Sequence, residues 1–316
     1  MQVIKLHHKY DPKQIPSDDV VLILGFFDGV HRGHQKVIEK GVELARKQQM
    51  KSALLTFNQH ASKVCAKNSD LKYLSSFTQK AEILADLGVD YVYQVAFTSA
   101  FSKLKPQEFV KEYIVDLHAK YVVAGYDYTY GPKEIANMKV LPLYAGGRFD
   151  IVQVDPQTYH DEKISSTRIR HLLAEGRIED ANVLLGRPYE SRGVVVHGEA
   201  RGRTLGYPTA NLKIDDEVCL PKEGIYAVEV EVNHKKYYGM TSIGHNVTFG
   251  SLRPLSVEVN ILDFSEDIYG EEIKLKWMHR LRSEEKFANV DALIKQLQQD
   301  EENTRSYFKQ IKQKEA

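Results

Sequence analysis

The stretch Val20-Val21-Leu22-Ile23-Leu24-Gly25-Phe26-Phe27-Asp28-Gly29-Val30-His31-Arg32-Gly33-His34 restricts the fold more than any other part of this chain. An unbroken apolar, largely β-branched run fits a parallel strand covered on both faces, because an alternating strand would leave one face wet. Gly25, Gly29 and Gly33 then let the backbone turn tightly and approach a ligand closely. The helix that follows points free N–H groups and its positive dipole end at whatever occupies the turn, which favours an anion. His31 and His34 are three residues apart and share a face of the first helical turn, within reach of phosphate oxygens. They are no metal pair, since no third ligand follows at a standard spacing. Glycine-rich strand-to-helix turns are common in α/β proteins, so spacing alone names no substrate.

With 316 residues the chain has material for two domains, each burying its own core. Forty-three Lys and Arg balance 43 Asp and Glu, so there is no broad basic field of the kind nucleic acid requires, and no nucleic-acid partner is expected. No apolar run reaches membrane-spanning length, and Met1-Gln2-Val3-Ile4-Lys5-Leu6-His7-His8 lacks a signal-peptide core. A cytoplasmic protein without membrane association, a monomer or weak homo-oligomer, is expected. Cys65 and Cys219 stand far apart, suggesting neither a disulfide framework nor a thiolate metal site.

Strand candidates Val20–Leu24, 52–57, Tyr91–Val95 and 121–124 alternate with helical patterns at 35–49, 77–87 and 106–117. That alternation predicts an α/β doubly wound parallel sheet, in which ligands bind beyond the C-terminal strand ends. Both Gly25–His34 and Gly125-Tyr126-Asp127-Tyr128-Thr129-Tyr130-Gly131 lie at such ends. Ile164-Ser165-Ser166-Thr167-Arg168-Ile169-Arg170 opens a short amphipathic helix, with Ser165 or Ser166 as its N-cap and Ile169, Leu172 and Leu173 as its apolar face. After Leu185-Gly186-Arg187-Pro188 the texture changes to short strands with turns, which puts a domain boundary near residue 187, dividing 1–186 from 187–316. Strand patterns at 192–197, 225–232, 236–243, 255–261 and 273–278, with Asn233-His234 as a tight turn, predict a closed antiparallel β-barrel. A terminal helix follows over about 290–311, striped by Leu293, Ile294 and Leu297.

Inside the barrel region, Val196 to Asn211 packs Gly198, Gly202 and Gly206, Arg201 and Arg203, and the string Pro208-Thr209-Ala210-Asn211 into one loop. Such a loop can fold backbone N–H groups around an anion, while Thr209 and Asn211 offer neutral oxygens to a hard cation such as Mg²⁺. The order of a P-loop is absent, as is a protein-kinase signature set. An exposed glycine-rich hairpin is the plain structural alternative.

Four strings in order give the chain a resemblance to the bacterial bifunctional riboflavin kinase/FMN adenylyltransferases (FAD synthetases), covering roughly Val20 to Phe308. Gly25 to His34 resembles the G-x-F-D-G-V-H-x-G-H signature, and Ile164 to Arg170 resembles the second signature of the adenylyltransferase half. Gly125 to Gly131 is similar to that half's G-x-D-x-x-x-G segment, and His197 to Asn211 matches the kinase module's H-G-x-x-R-G-R-x-x-G-[FY]-P-T-A-N. The resemblance implies an HxGH nucleotidyltransferase-like N-terminal domain and a kinase barrel, with riboflavin, FMN and ATP as substrates, FMN and FAD as products and Mg²⁺ as cofactor. By the same resemblance Gly25, Phe27, Asp28, Gly29, His31, Gly33, His34, Ser165, Ser166, Thr167 and Arg168 bind ATP in the first half, and Asn58, Asp127 and Tyr128 lie near flavin. In the second, Gly198, Arg201, Gly202, Arg203, Thr204 and Pro208 bind ATP, Thr209 and Asn211 hold Mg²⁺, and Glu258 in Ser256-Val257-Glu258-Val259-Asn260 matches the catalytic base. Alternation with Val257 and Val259 would equally make Glu258 an ordinary solvent-facing strand residue.

Two departures stand out. The family's T-F-x-P-H-P appears as Thr56-Phe57-Asn58-Gln59-His60-Ala61, without the prolines that stiffen that loop, which bears on the rate of adenylylation or its dependence on flavin redox state. The kinase's I-G-x-R-P-T-F appears as Ile243-Gly244-His245-Asn246-Val247-Thr248-Phe249, which implies altered flavin affinity with kinase activity kept. Retention of one activity alone, or a flavin-sensing regulator that binds RNA or protein without turnover, are the competing functional readings.

Overall fold

The computed structural model describes residues 1–66, 70–198, 201–245 and 255–315. Two compact units emerge, Met1–Ser166 and Thr167–Ala316.

In the first unit, β1 (Gln2–Leu6), β2 (Val20–Leu24), β3 (Lys51–Phe57), β4 (Tyr91–Val95), β5 (Ala119–Gly125) and β6 (Asp150–Val154) form one parallel sheet in the order β1-β4-β3-β2-β5-β6. The helices are α1 (Arg32–Lys47), α2 (Ala61–Cys65), α3 (Phe77–Asp86), α4 (Pro106–Val110), continued by a π-helical turn over Lys111–Val115, and α5 (Leu141–Ala145). A small hairpin, β7 (Thr158–Tyr159) and β8 (Glu162–Lys163), closes the unit. β2 shows why the apolar run is unbroken. Val20, Leu22 and Leu24 pack in one core with Leu55, Tyr93 and Phe109, while Val21 and Ile23 pack in a second with Ile38, Val42 and Leu54. No residue of β2 is more than 1 % exposed, and each such side chain contributes about 1.5–3 kcal/mol. β1 and β6, absent from the strand expectations, are the sheet's edges; half their residues meet solvent, so neither carries a continuous apolar signal.

The second unit opens with α6 (Ser166–Glu175) and α7 (Ile178–Leu185), the latter ended by Gly186 in the left-handed conformation. β9 (Tyr189–Val196), α8 (Arg201–Thr204), β10 (Ala210–Ile214), β11 (Gly224–Val232), β12 (Lys235–Gly244), β13 (Ser256–Ile261) and β14 (Glu272–Arg282) follow. The strands close an antiparallel barrel in the order β10-β13-β12-β11-β14-β9. Asn233 and His234, both at positive φ, join β11 to β12 as a tight turn beyond the Val232/Lys235 pair. The Asn182 side chain of α7 bonds the barrel at both ends, donating to the Trp277 carbonyl at 2.8 Å and accepting from the Tyr189 N–H at 2.7 Å. Compactness therefore divides the chain at Ser166/Thr167, whereas the change in sequence texture falls near 187. The long helix α9 (Val290–Glu315) is pinned to β14 by Arg282, whose Nη2 lies 2.7 Å from Asp300, itself 1 % exposed.

Candidate active sites

The order of the parallel sheet reverses between β2 and β5, where Leu24 pairs with Ala124. Helices entering on opposite faces leave a crevice at such a switch point. Gly25 to His34 leaves β2 on one side of it, and Gly125 to Gly131 leaves β5 on the other. The turn has an unusual backbone: Phe27 (φ 55°) and Gly29 (φ 73°) are both left-handed, and a side chain at Gly29 would also strike Leu74 at 2.8 Å. His31 caps α1, its Nδ1 accepting the His34 N–H at 3.2 Å. In the neutral ring, an accepting Nδ1 places the proton on Nε2. The two imidazoles stack with centroids 3.6 Å apart. Burial, and then the adjacent His31 ring, hold His34 well below the ordinary imidazole range, so it is neutral at pH 7. Its buried Nδ1 finds no partner among the described residues.

The walls of this turn come from distant segments. The buried Asp28 carboxylate accepts the Leu74 N–H at 2.9 Å, and its carbonyl accepts from Ser166 Oγ at 2.9 Å. Ser165, also partly buried, precedes it, while Thr167 and Arg168 begin the second unit. Gly33 sits against the His31 ring. In the loop lacking prolines, hydrogen bonds supply the order: Asn58 Oδ1 accepts the Phe97 N–H at 2.8 Å, Gln59 Nε2 donates to the Phe97 carbonyl at 2.9 Å, and His60 N–H donates to the Tyr73 hydroxyl at 3.0 Å. Across the crevice, Asp127 is exposed and ion-paired with Lys163, and the half-buried Tyr128 stacks on Tyr130 at 6.4 Å.

The barrel site is built by register. β10 and β13 pair so that Asn211 lies directly opposite Glu258, and Thr209 Oγ1 donates to Glu258 Oε2 at 3.2 Å. Val257 and Val259 turn inward to the core, which leaves Glu258 half-buried on the outer face beside these two side chains. Gly198 permits the approach of β10, since a Cβ there would stand 2.1 Å from Asn211 Nδ2. The Gly202 carbonyl accepts from the Leu205 and Tyr207 amides, folding α8 and Thr204 back toward Pro208. Arg203, Pro208 and Thr209 line a cavity of about 360 Å³ with Val259, Ile261 and Tyr269. Arg201 opens α8. Of the departing string in the kinase half, residues 246–249 lie outside the described residues, as do 199–200 of the glycine-rich loop.

Sequence reasoning missed two supports. Asn260 donates to the Pro208 carbonyl at 2.8 Å and so fixes the Pro-Thr-Ala-Asn string; its place two residues after Glu258, on the same face of β13, was the available signal. Lys80 reaches under the first turn to the Phe26 carbonyl at 2.8 Å, and nothing in a helix such as α3 marks that lysine as buried.

Comparison with known proteins finds relatives for both halves of the chain. The FAD synthetase family model matches residues 13–168 and the riboflavin kinase model residues 185–308. The bifunctional riboflavin kinase/FMN adenylyltransferase of Listeria monocytogenes is 47 % identical over 98 % of this chain and 99 % of its own length. That of Bacillus subtilis is 40 % identical over 97 % of each chain, and that of Escherichia coli 34 % identical over 93 % of this chain and 95 % of its own. A solved Streptococcus pneumoniae structure, titled a macrolide-efflux protein, superposes with a TM-score of 0.87 at 40 % identity, covering 96 % of this chain and 99 % of that one. Among the described residues no helix is long and apolar enough to cross a membrane. With two catalytic modules matched in order and relatives aligned nearly end to end, the chain belongs to the bifunctional riboflavin kinase/FMN adenylyltransferase family.

Proposed function

We propose that the family's two reactions run at the two sites described, with the kinase half taken as residues 187–316 and the adenylyltransferase half as 1–186. In the kinase step Glu258 accepts the proton of riboflavin's primary alcohol as that oxygen attacks the γ-phosphorus of ATP, and ADP leaves. The observation that carries this assignment is the convergence of Thr209, Asn211 and Glu258, with Thr209 Oγ1 3.2 Å from the carboxylate. A carboxylate on an ordinary solvent-facing strand would have no reason to meet both. Gly198, Arg201, Gly202, Arg203, Thr204 and Pro208 hold the ATP phosphates. The donors near Glu258 are oxygens, and no cluster of three His, Cys, Asp or Glu side chains occurs among the described residues. That set fits Mg²⁺ held by Thr209, Asn211 and ATP phosphates, where it would offset phosphate charge.

In the second step an FMN phosphate oxygen attacks the α-phosphorus of ATP and pyrophosphate leaves, with no covalent enzyme intermediate. His31 Nε2–H and His34, with Ser165, Ser166, Thr167 and Arg168, stabilise the charge gathering on the leaving group, while Gly25, Phe27, Asp28, Gly29 and Gly33 shape the turn. Asn58, Asp127 and Tyr128 flank the flavin, and Mg²⁺ is required here too. The protein acts in the cytoplasm as a monomer or weak homo-oligomer, which sedimentation tests directly. Incubation with riboflavin, ATP and Mg²⁺, followed by separation of the flavins, is expected to yield FMN and then FAD. FMN alone would leave only the kinase, and FAD from supplied FMN alone only the adenylyltransferase.

A further inference from the structure

Lys80 takes no part in the chemistry above, yet few lysines are so deeply placed. It lies on α3, whose first turn is fixed by a capping box between Ser76 and Gln79, and only 4 % of it is exposed. Burying an ammonium is costly unless it is paired. Here Nζ donates to the Phe26 carbonyl at 2.8 Å and lies 4.5 Å over the Phe26 ring. The same carbonyl accepts from Thr56 Oγ1 of β3 at 2.8 Å, so two elements tie down one peptide of the turn. Asp28, two residues on, is held by the Leu74 N–H, and the Phe26 ring also meets His60 and Tyr73. Among the described residues, the charged and titratable groups around this ammonium include the Asp28 carboxylate on the turn, His60 and Tyr73 against the Phe26 ring, and His34 on α1, which in turn meets His31 and the field of Lys163. The Asp28 carboxylate beside these cations and imidazoles leaves room for an anionic ligand.

We propose that Lys80 is a positioning residue for FMN adenylylation: its ammonium clamps the Phe26 carbonyl, keeps the phosphate turn in its left-handed form and places buried positive charge beneath the ATP phosphates. This rests on the assignment of Gly25–His34 as the ATP-phosphate site. Burial pushes the amine down to about 8, with the Asp28 carboxylate opposing the change. A polyphosphate above the turn favours the ammonium, so binding ATP in mild alkali draws in a proton, and loss of that proton weakens binding.

The test follows FAD formation from FMN against ATP concentration between pH 6.5 and 9.5 in the full-length protein, with riboflavin phosphorylation by the same samples as the control for ATP ionisation and thermal melts of each variant as the control for folding of the first unit. Wild type is expected to lose kcat/KM for ATP above about pH 8, approaching tenfold per pH unit for one proton. K80M should be at least tenfold lower at pH 7 and lack that decline; K80R, which cannot lose its proton, should recover much of the rate and also lack it. K80M within threefold of wild type, or a K80M loss that keeps the alkaline decline, overturns the proposal. H31A separates the two ideas: if it too leaves FAD formation intact, the phosphate-site assignment itself has failed, whereas an inactive H31A beside a normal K80M defeats Lys80 alone.

Discussion

The two candidate sites are made in opposite ways. At the switch point of the parallel sheet, the central pair His31 and His34 are three residues apart and a single turn presents both. In the barrel, Thr209 and Glu258 are 49 residues apart and meet only because β10 and β13 pair in one register. Local assembly leaves a signature that can be read as a string; assembly by register leaves residues whose roles are invisible one at a time. The first kind of site should respond to changes in one turn and in the few side chains that brace it, the second to changes anywhere that strand pairing is set.

The sharpest break in the comparison comes from the paired substitutions. Glu258→Gln should cost FMN formation about 10²–10⁴-fold while FAD formation from supplied FMN persists, and His31→Ala should do the reverse. A variant that lost both activities while still folded would merge the two sites into one. Next in size is Asp300→Ala, which strands the Arg282 guanidinium against a buried helix face and should destabilise the second unit by about 3–5 kcal/mol, read by denaturant unfolding. FAD formation from FMN should outlast FMN formation as denaturant rises. Gly198→Ala forces Asn211 out of line and should introduce about 1–3 kcal/mol of strain, raising the kinase KM for ATP with adenylylation unmoved. Equal loss of both reactions would contradict register as the basis of the barrel site.

The smallest effect is a pH dependence. His34 is held below its unfolded value, so as pH falls through 6.5 the unfolded chain takes a proton that the folded one refuses. The first unit should therefore lose about 1.4 kcal/mol per pH unit from this group below pH 6.5, until the folded ring also protonates, and nothing above pH 7.5. His34→Gln should flatten that slope in thermal melts, with ATP opposing it in the wild type.

Much of this was legible in the sequence for identifiable reasons. β2 announced itself because both faces are buried, and the barrel strands because only one is. The edge strands β1 and β6 were silent, since half-exposed parallel strands have neither pattern, and β10 was hidden within a string rich in turn formers. In the first unit Ser166 Oγ reaches the Asp28 carbonyl, a contact between two strings 138 residues apart. The proline-free loop is not slack, because Asn58, Gln59 and His60 each anchor it by a hydrogen bond that composition could not foretell. Lys80 was unreadable for a related reason: a long cationic side chain on a helix looks solvent-facing until its neighbours are known.

The pairing of Asn211 with Glu258 also makes this enzyme its own reporter. Side chains alternate along a strand, so a slip of one residue between β10 and β13 would turn Glu258 to the opposite face and send a valine in its place. With Glu258 in its proposed role, partial closure of the barrel thus gives no partial kinase. Appearance of FMN during refolding or synthesis would time the moment the last strands lock, while FAD made from added FMN would time the sheet, so two product peaks can follow the assembly of two folds in one chain.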